Sequence, residues 1–175
     1  MVRAKRIPHI MGTEEEAVRL AKRWGVDETT ARRAAILHDC TKYLELDEQL
    51  ALCRKYGVEL DELEQRAVKL LHSKTGACIA KHIFGEDEQV YQAIFWHTTG
   101  KADMSLLEKV IYLADYIEPT RDFDGVELLQ ALAYEDIDKA LLMGMNMTIE
   151  EMEQRGSPVH RNTRAARDWL LDHGN

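Results

Sequence analysis

Four histidines and two aspartates in this chain are of the types that bind divalent metal ions. In chain order they are His9, His38, Asp39, His72, His97 and Asp115. Imidazole nitrogen and carboxylate oxygen suit divalent first-row metals, and a single carboxylate can bridge two ions. The adjacent pair His38-Asp39 can direct two such groups at one point. We therefore predict a hydrolytic site with two metal ions and Asp39 between them.

The spacing of these six residues indicates which kind of fold holds them. The ligands of a finger-like motif lie roughly two to five residues apart, whereas a helical bundle collects one or two from each of several helices. Apart from the adjacent pair His38-Asp39, the groups here are a helix or more apart, and His38, His97 and Asp115 follow strongly apolar residues. A buried carboxylate needs a compensating positive charge. The pattern favours a metal site in a helical core, although each histidine alone is more typical of a structural core or capping residue.

Helix signals recur along the whole chain, and the sequence has no convincing strand alternation. A hydroxyl followed three residues later by a glutamate fits the capping box at Thr13, Ser105 and Thr148. Glycines placed just after apolar helical patterns predict helix ends. The predicted helices cover about 13–24, 27–39, 47–56, 61–71, 75–84, 86–97, 106–117, 126–133, 135–153 and 163–171. The predicted fold class is all-α, in a single domain.

Composition limits the classes of protein to which this chain can belong. Its 175 residues suit one domain, and its formal net charge of −8 argues against a broad nucleic-acid surface, which needs many lysines and arginines. No apolar run approaches the roughly 18 residues of a membrane-spanning helix. The cysteines form no CxxC pair, which favours free thiols in a reducing compartment. We expect a cytoplasmic protein that binds neither nucleic acid nor a membrane.

Three further residues could bind phosphate beside the metal ions. Lys42 lies one helical turn beyond His38 on the same face, and Arg121 follows Asp115 in a polar loop. Thr98 lies at a predicted helix end, where hydroxyls and backbone N–H groups can bind anions. The alternative roles of these residues are a solvated lysine, an ion pair with a neighbouring aspartate and a simple helix cap.

With these residues assembled, the chain resembles the HD-domain metallohydrolases and, within them, the YqeK family of bacterial symmetrical bis(5′-nucleosyl)-tetraphosphatases. The similarity covers about 6–171 and is carried by the segments HIMGTEEEAVRLA, AAILHDCTK, HTTGKADMSLLEKVIYLADYIEPTRDFDGV, DIDKALL and GSPVHRNTRAARDWL. The HTTG and LADYIEPTRDF segments are more specific than the His-Asp pair, which many phosphohydrolases share.

The resemblance implies a single helical HD domain over 1–175, with a metal-binding core at about 6–130 and C-terminal helices with a nucleotide-contacting loop at about 135–175. It gives metal roles to the six residues named above and favours iron, with manganese or another first-row metal as alternatives. The implied nucleotide contacts are His9, Asp39, Cys40, Thr41, Lys42, His72, Thr98, Arg121, Val159, His160, Arg161, Asn162 and Thr163.

The activity implied by this resemblance is symmetrical hydrolysis of diadenosine tetraphosphate to two ADP. A metal-bound hydroxide would attack an inner phosphorus, with Asp39, Lys42 and Arg121 as the catalytic residues. The expected partners are a dinucleoside polyphosphate substrate and ADP or GDP as product, and a homodimer is possible. Two alternatives stay open: an HD-type nucleotide phosphatase of another specificity, and a nonenzymatic module that senses nucleotides through the same loops.

Overall fold

The computed structural model describes residues 4–174, which form nine α-helices and two short 3-10 helices. The α-helices are α1 (Ile7–Trp24), α2 (Glu28–Leu37), α3 (Leu46–Lys55), α4 (Val68–His82), α5 (Glu88–Trp96), α6 (Leu106–Ile117), α7 (Val126–Glu135), α8 (Ile137–Gln154) and α9 (Arg161–His173). The 3-10 helices are Ala4–Arg6 and Glu64–Arg66. No strand occurs within residues 4–174, so the all-α prediction is confirmed. The same residues contain no helix long and apolar enough to cross a lipid bilayer.

The helices pack around one continuous core. α1 contacts α2 and α6, α5 contacts α2, α4 and α6, and α8 contacts α6, α7 and α9. Ala31, Ala34 and Ala35 of α2 are completely buried, and their small side chains allow α2 to approach α1 and α5 closely. In α6, Val110 and Leu113 are also completely buried. As a result, the C-terminal ends of α2, α5 and α6 lie near one another.

α1 begins earlier than the sequence pattern predicts, at Ile7 rather than near Thr13. Pro8 lies in its first turn, where the missing N–H of proline costs no helical hydrogen bond. Thr13 is buried inside the helix, and its hydroxyl donates to the carbonyl of His9 at 2.8 Å. The capping box predicted at Thr13 is therefore wrong, and His9 lies on the helix itself. The helix ends at Gly25, as predicted, in the left-handed conformation with φ of 74°.

The three predicted capping boxes have different outcomes. α8 is one unbroken helix in which the Thr148 hydroxyl lies within the helix and donates to the Tyr116 hydroxyl at 3.2 Å, so that box is also wrong. Ser105 does begin α6: its hydroxyl accepts from the N–H of Glu108 at 3.3 Å, and the Glu108 carboxylate accepts from the N–H of Ser105 at 2.7 Å. The other two hydroxyls fail to form caps because their helices begin earlier in the chain.

The region predicted as two helices, at 61–71 and 75–84, is a 3-10 turn followed by the single helix α4. Asp61 and Glu64 close the turn, because each carboxylate accepts from the backbone N–H of the other residue at 2.9 Å. α4 then runs without a break through His72. His72 is therefore held inside a helix, whereas His38 and Asp39 lie in the turn that follows α2.

Candidate metal centre

The structure brings together all six residues that the sequence predicts as metal ligands. They come from five helices or their ends: His9 (α1), His38 and Asp39 (after α2), His72 (α4), His97 (after α5) and Asp115 (α6). Five of the six are buried, and the side chain of Asp115 is 23% exposed. Donor groups that are remote in the sequence therefore meet in the interior of the bundle.

Asp39 lies between two pairs of histidines. Its Oδ2 atom is 3.6 Å from Nε2 of His9 and 3.6 Å from Nε2 of His38. Its Oδ1 atom is 3.1 Å from Nε2 of His72 and 3.9 Å from Nε2 of His97. Each carboxylate oxygen therefore faces its own pair of imidazole nitrogens, as expected of a carboxylate placed to bridge two ions.

The nitrogen atoms within each histidine pair converge. Nε2 of His9 lies 3.3 Å from Nε2 of His38, and Nε2 of His72 lies 3.1 Å from Nε2 of His97. Asp115 adds its Oδ1 atom to the first pair, at 3.1 Å from Nε2 of His9 and 3.7 Å from Nε2 of His38. Three overlapping groups of three donors, all drawn from these six residues, have atoms within 4.8 Å of one another.

Three of the histidines are oriented by hydrogen bonds from their outer nitrogen. Nδ1 of His38 and Nδ1 of His97 each donate at 2.6 Å to a carbonyl of the preceding helical turn. Nδ1 of His9 donates to Oε1 of Glu118 at 3.0 Å. A proton on Nδ1 leaves the lone pair of Nε2 directed at the centre, which is the tautomer that a metal ligand needs.

The protonation states of His97 and Asp39 suit cation binding. Burial lowers the pKa of His97 to about 3, with a contribution from the neighbouring His72 and His38, so the ring of His97 is neutral. Burial acts to raise the pKa of Asp39, but the adjacent ring of His72 and nearby positive charges lower it below its usual value. Burial acts to lower the pKa of His38, but Asp115 and Asp39 together outweigh burial and raise it, so a metal ion has to displace a proton more readily held at this ring than at His97. Neutral imidazole and ionised carboxylate are the ligand forms of these side chains.

The donor set fits divalent cations. Oδ1 of Asp39 is buried and has no well-oriented hydrogen-bond donor within residues 4–174. An ionised carboxylate in this position is costly unless a cation compensates its charge. Four imidazole nitrogens and a second carboxylate are directed at the same space, and this mixture of donors is typical of first-row metal sites.

Lys42 and Arg121 border the centre. Nζ of Lys42 is 3.0 Å from Nε2 of His72 and 3.7 Å from Oδ1 of Asp39. Arg121 donates to Asp115 twice, from Nε to its backbone carbonyl at 2.9 Å and from Nη2 to its Oδ1 atom at 2.8 Å. Arg121 therefore binds a predicted metal ligand rather than one of the neighbouring loop aspartates.

Two predicted nucleotide contacts beside the His-Asp pair have side chains that face α4. The Thr41 hydroxyl donates to the carbonyl of His72 at 3.0 Å, and Sγ of Cys40 donates to the carbonyl of Gly76 at 3.8 Å. Both side chains are therefore engaged with backbone carbonyls of α4, and Thr41 is buried. The Thr98 hydroxyl is buried and has no hydrogen-bond partner within residues 4–174, so it can still accept a ligand.

The predicted nucleotide loop at 158–163 is a loop only as far as His160, because 161–163 form the first turn of α9. The loop is tied to the 3-10 turn. His160 caps α9, because its Nδ1 atom accepts from the N–H of Asn162 at 3.1 Å. Its Nε2 atom lies 3.1 Å from Oδ2 of Asp61 and 3.2 Å from Oε1 of Glu64, and Nζ of Lys74 is 2.9 Å from the same Glu64 oxygen. Along the loop, His160 and Thr163 are buried, Val159 and Asn162 are half-buried and Arg161 is exposed. The half-buried and exposed members are the ones that a nucleotide can reach.

Sequence reasoning missed residues on two sides of this centre. Glu118 is buried against His9, and Arg6 contacts Oδ2 of Asp39. Lys5 and Arg6 also line a cleft beside Asp39. Arg6 lies one helical turn before His9, and Glu118 lies one turn beyond the predicted ligand on α6. Arg6 and Glu118 could therefore have been identified by their position one helical turn from a predicted ligand.

The fold and the site together define a helical protein whose histidines and aspartates can hold divalent metal ions. The model of the family described as HD domain matches residues 6–120, a segment that contains all six predicted ligands. The chain therefore belongs to the HD-domain family, and within it to the symmetrical bis(5′-nucleosyl)-tetraphosphatases, on the similarities that follow.

Relatives with that description come from several bacteria. The chain is 41% identical over 167 residues to the symmetrical bis(5′-nucleosyl)-tetraphosphatase of Halalkalibacterium halodurans, an alignment that covers 95% of this chain and 89% of that protein. It is 35% identical to the protein of the same description from Bacillus subtilis, with 93% and 88% covered. A crystal structure of an HD superfamily hydrolase from Clostridium acetobutylicum, described as involved in NAD metabolism, superimposes with a TM-score of 0.95 at 44% identity, covering 98% of this chain and 91% of that one.

Proposed function

We propose that this chain hydrolyses diadenosine tetraphosphate symmetrically to two ADP at the centre around Asp39. The proposal rests on the position of the Asp39 carboxylate between two histidine pairs. Its Oδ2 atom faces His9 and His38, and its Oδ1 atom faces His72 and His97. A phosphoanhydride needs charge neutralisation on both sides of the attacked bond, and two cations on either side of one carboxylate supply it. The descriptions of the relatives supply the substrate class.

The donors divide into two proposed metal positions that share Asp39. The first takes His9, His38 and Asp115, and the second takes His72 and His97. When bound, divalent ions at such positions act as Lewis acids towards phosphate and activate the attacking water. We favour iron, with manganese or another first-row metal as alternatives, because imidazole and carboxylate suit several ions.

The chain's own cations have a separate proposed role. Lys42 lies 3.7 Å from Oδ1 of Asp39, so its ammonium group can reach a phosphate held beside that oxygen. Arg121 presents its guanidinium group next to Asp115, where it can bind a second phosphate. A departing nucleoside diphosphate is a stabilised anion, so positive charge from these two residues can serve without a dedicated acid.

The proposed partners are a dinucleoside polyphosphate as substrate and ADP or GDP as product. The nucleotide contacts named from the family resemblance, including the loop at 158–163, remain part of this proposal. A cytoplasmic location, the absence of nucleic-acid and membrane partners and a possible homodimer also remain predictions. The formal net charge of −8 supports the prediction that nucleic acid is not a partner, because a nucleic-acid surface depends on many basic contacts.

The decisive experiment combines product analysis with metal analysis of the same sample. Protein purified without chelator is incubated with diadenosine tetraphosphate in water enriched in ¹⁸O. The nucleotide products are then separated, and their masses are measured by mass spectrometry. We expect ADP as the only nucleotide product, with a single ¹⁸O atom in one of the two molecules formed per turnover. Asp39→Ala protein purified in parallel controls for a contaminating hydrolase.

The other outcomes each contradict a defined part of the proposal. ATP and AMP in equal amounts would mean asymmetrical cleavage. Release of inorganic phosphate from mononucleotides alone would support an HD-type phosphatase of another specificity. Tight ADP binding with no turnover, in protein that contains its metal, would support the nucleotide-sensing module.

A further inference from the structure

A cleft of about 300 Å³ opens beside the metal centre, where Asp39 and Lys42 form part of its wall. Its volume falls at the lower end of the range of small-molecule sites. The remaining lining residues are Lys5, Arg6, Tyr43, Leu44, Glu45 and Val68. The nucleotide loop at 158–163 is not among the residues that line it. The cleft is therefore a separate candidate for part of the substrate.

One part of the cleft is basic. Lys5 and Arg6 precede α1, and Lys42 follows the His-Asp pair, so three cations line the cleft, and two of them, Arg6 and Lys42, lie beside Asp39. Nη2 of Arg6 contacts Oδ2 of Asp39, whereas its Nε atom is buried and has no hydrogen-bond partner within residues 4–174. The three cations of the lining outnumber its two carboxylates, Asp39 and Glu45, which leaves a positive balance in a chain whose formal net charge is −8. Such a positive balance suits a phosphate chain.

Another part of the cleft is apolar. Tyr43 and Leu44 are half-buried in the turn after the His-Asp pair, and Val68, the first residue of α4, is 38% exposed. An exposed valine beside an aromatic ring and a leucine offers a surface for a nucleobase or ribose. The lining therefore combines cations, two of them beside Asp39, with apolar side chains, which is the mixture of groups that a nucleoside diphosphate requires.

We propose that this cleft binds the second nucleoside diphosphate half of the substrate. Its phosphates lie against Lys5 and Arg6, and its nucleoside lies against Tyr43, Leu44 and Val68. The inference rests on the proposed function, because symmetrical cleavage leaves one nucleoside diphosphate on each side of the attacked bond. The loop at 158–163 and Thr98 then serve the first half.

The test compares two substrates that differ only in the second nucleoside. Diadenosine tetraphosphate has it, and adenosine 5′-tetraphosphate lacks it. For the double variant Tyr43→Ala, Val68→Ser, we expect kcat/KM for diadenosine tetraphosphate to fall about tenfold, since each lost apolar contact in a pocket weakens selection by this order. The value for adenosine 5′-tetraphosphate should change less than about twofold. Leu128→Ser is the matched control, because Leu128 is 62% exposed on α7, away from the cleft.

A binding measurement gives a second readout. Calorimetry with ADP and metal-loaded protein should detect two binding events per chain in the wild type and a weakened second event in the double variant. Equal losses for both substrates, no loss for either, or a single ADP site in the wild type would overturn the inference. Failure of the wild type to cleave diadenosine tetraphosphate would instead contradict the proposed function, so the two failures are distinguishable.

Discussion

His9 and Glu118 are 109 positions apart in the chain, yet Nδ1 of His9 donates to Oε1 of Glu118 at 3.0 Å. Glu118 is 1% exposed, and its carboxylate also accepts from the backbone N–H of Thr120 at 2.7 Å and from the Thr120 hydroxyl at 2.6 Å. A carboxylate fixed in this way sets both the tautomer and the orientation of a ligating histidine. Glu118 is therefore a positioning residue for His9.

Replacing Glu118 with Ala should weaken metal binding at the His9 position about 10- to 100-fold, because the ring loses the acceptor that orients it. Glu118→Gln should lie between that variant and the wild type, since an amide oxygen can still accept from Nδ1. Competition with a chromophoric chelator measures the affinity, and Glu15→Ala, at an exposed position of α1, is the control. Equal affinities for Glu118→Ala and the control would contradict this role.

Asp39→Ala should remove the group shared by the two metal positions. We expect at most one metal ion per chain by mass spectrometry of the digested protein, and a loss of turnover of at least about 10³-fold. Circular dichroism should remain helical, because Asp39 lies in a turn outside the helices. Asp47→Ala, on the exposed first turn of α3, should retain both metal and activity. Two ions per chain in Asp39→Ala would remove the basis for a bridging role.

Lys42 and Arg121 should respond differently to replacement by Met. Lys42→Met should lower kcat/KM by about 10²- to 10³-fold with little change in metal content, as expected for one lost donor to phosphate. Arg121→Met should lower metal content as well, because Arg121 holds Oδ1 of Asp115 at 2.8 Å. Metal analysis and steady-state kinetics on each sample separate these effects. A normal metal content in Arg121→Met would restrict Arg121 to phosphate binding.

The sequence could predict the residue types of the centre but not all of their supports. His38, Asp39 and Asp115 stand out because polar groups follow apolar helical patterns, and local periodicity reveals this. The contact between His9 and Glu118 depends on how α1 packs against the end of α6, and no local pattern encodes that distance. Spacing of one turn from Asp115 can therefore mark Glu118 as a candidate, but it cannot show that His9 is its partner.

The same limit explains the wrong helix boundaries. A hydroxyl and a glutamate three residues apart occur by chance on the surface of helices, and Thr13 and Thr148 show that the pattern alone does not start one. His160 shows that contacts between residues remote in the sequence are also missed. The family resemblance predicts a nucleotide contact there, but its ring lies between Asp61 and Glu64, which sequence spacing could not bring together.

Glu64 should make the stability of the protein depend on pH in the acid range. Burial acts to raise the pKa of Glu64, but its contacts with His160 and Lys74 lower it from 4.5 to about 2. Because the folded-state pKa lies below the unfolded value, this stabilisation is present above about pH 4.5 and is lost as the pH falls towards 2. The network that holds the loop at 158–163 should weaken over the same range.

Urea unfolding at pH 5.5 and pH 3.5 measures this effect. Between these values the wild type should lose about 1 kcal/mol more unfolding free energy than Glu64→Gln, after allowance for solvent screening. Glu62→Gln is the matched control, because the side chain of Glu62 is 93% exposed in the same turn region. If Glu64→Gln and Glu62→Gln show the same pH dependence, the buried network does not hold the Glu64 carboxylate in its ionised form.

Gly12 provides an independent test of the contact between His9 and Glu118, because it acts on that contact without removing either residue. A Cβ atom at Gly12 would overlap Oε2 of Glu118 and lie 3.4 Å from Cδ of Pro119. Gly12→Ala should therefore displace the carboxylate and weaken metal binding about tenfold.

Unlike most changes in a buried site, Gly12→Ala should cost little stability. Ala is favoured over Gly inside a helix by about 1 kcal/mol, which offsets part of the overlap, so the free energy of unfolding should change by less than about 1 kcal/mol. Gly144→Ala on α8 is the control, since its Cβ would meet Leu129 at an ordinary distance of 3.7 Å. If both variants are stable and only Gly12→Ala loses metal affinity, the loss results from a changed orientation of His9 and not from a less stable fold. Unchanged affinity in Gly12→Ala would show that His9 does not need the Glu118 carboxylate in this position.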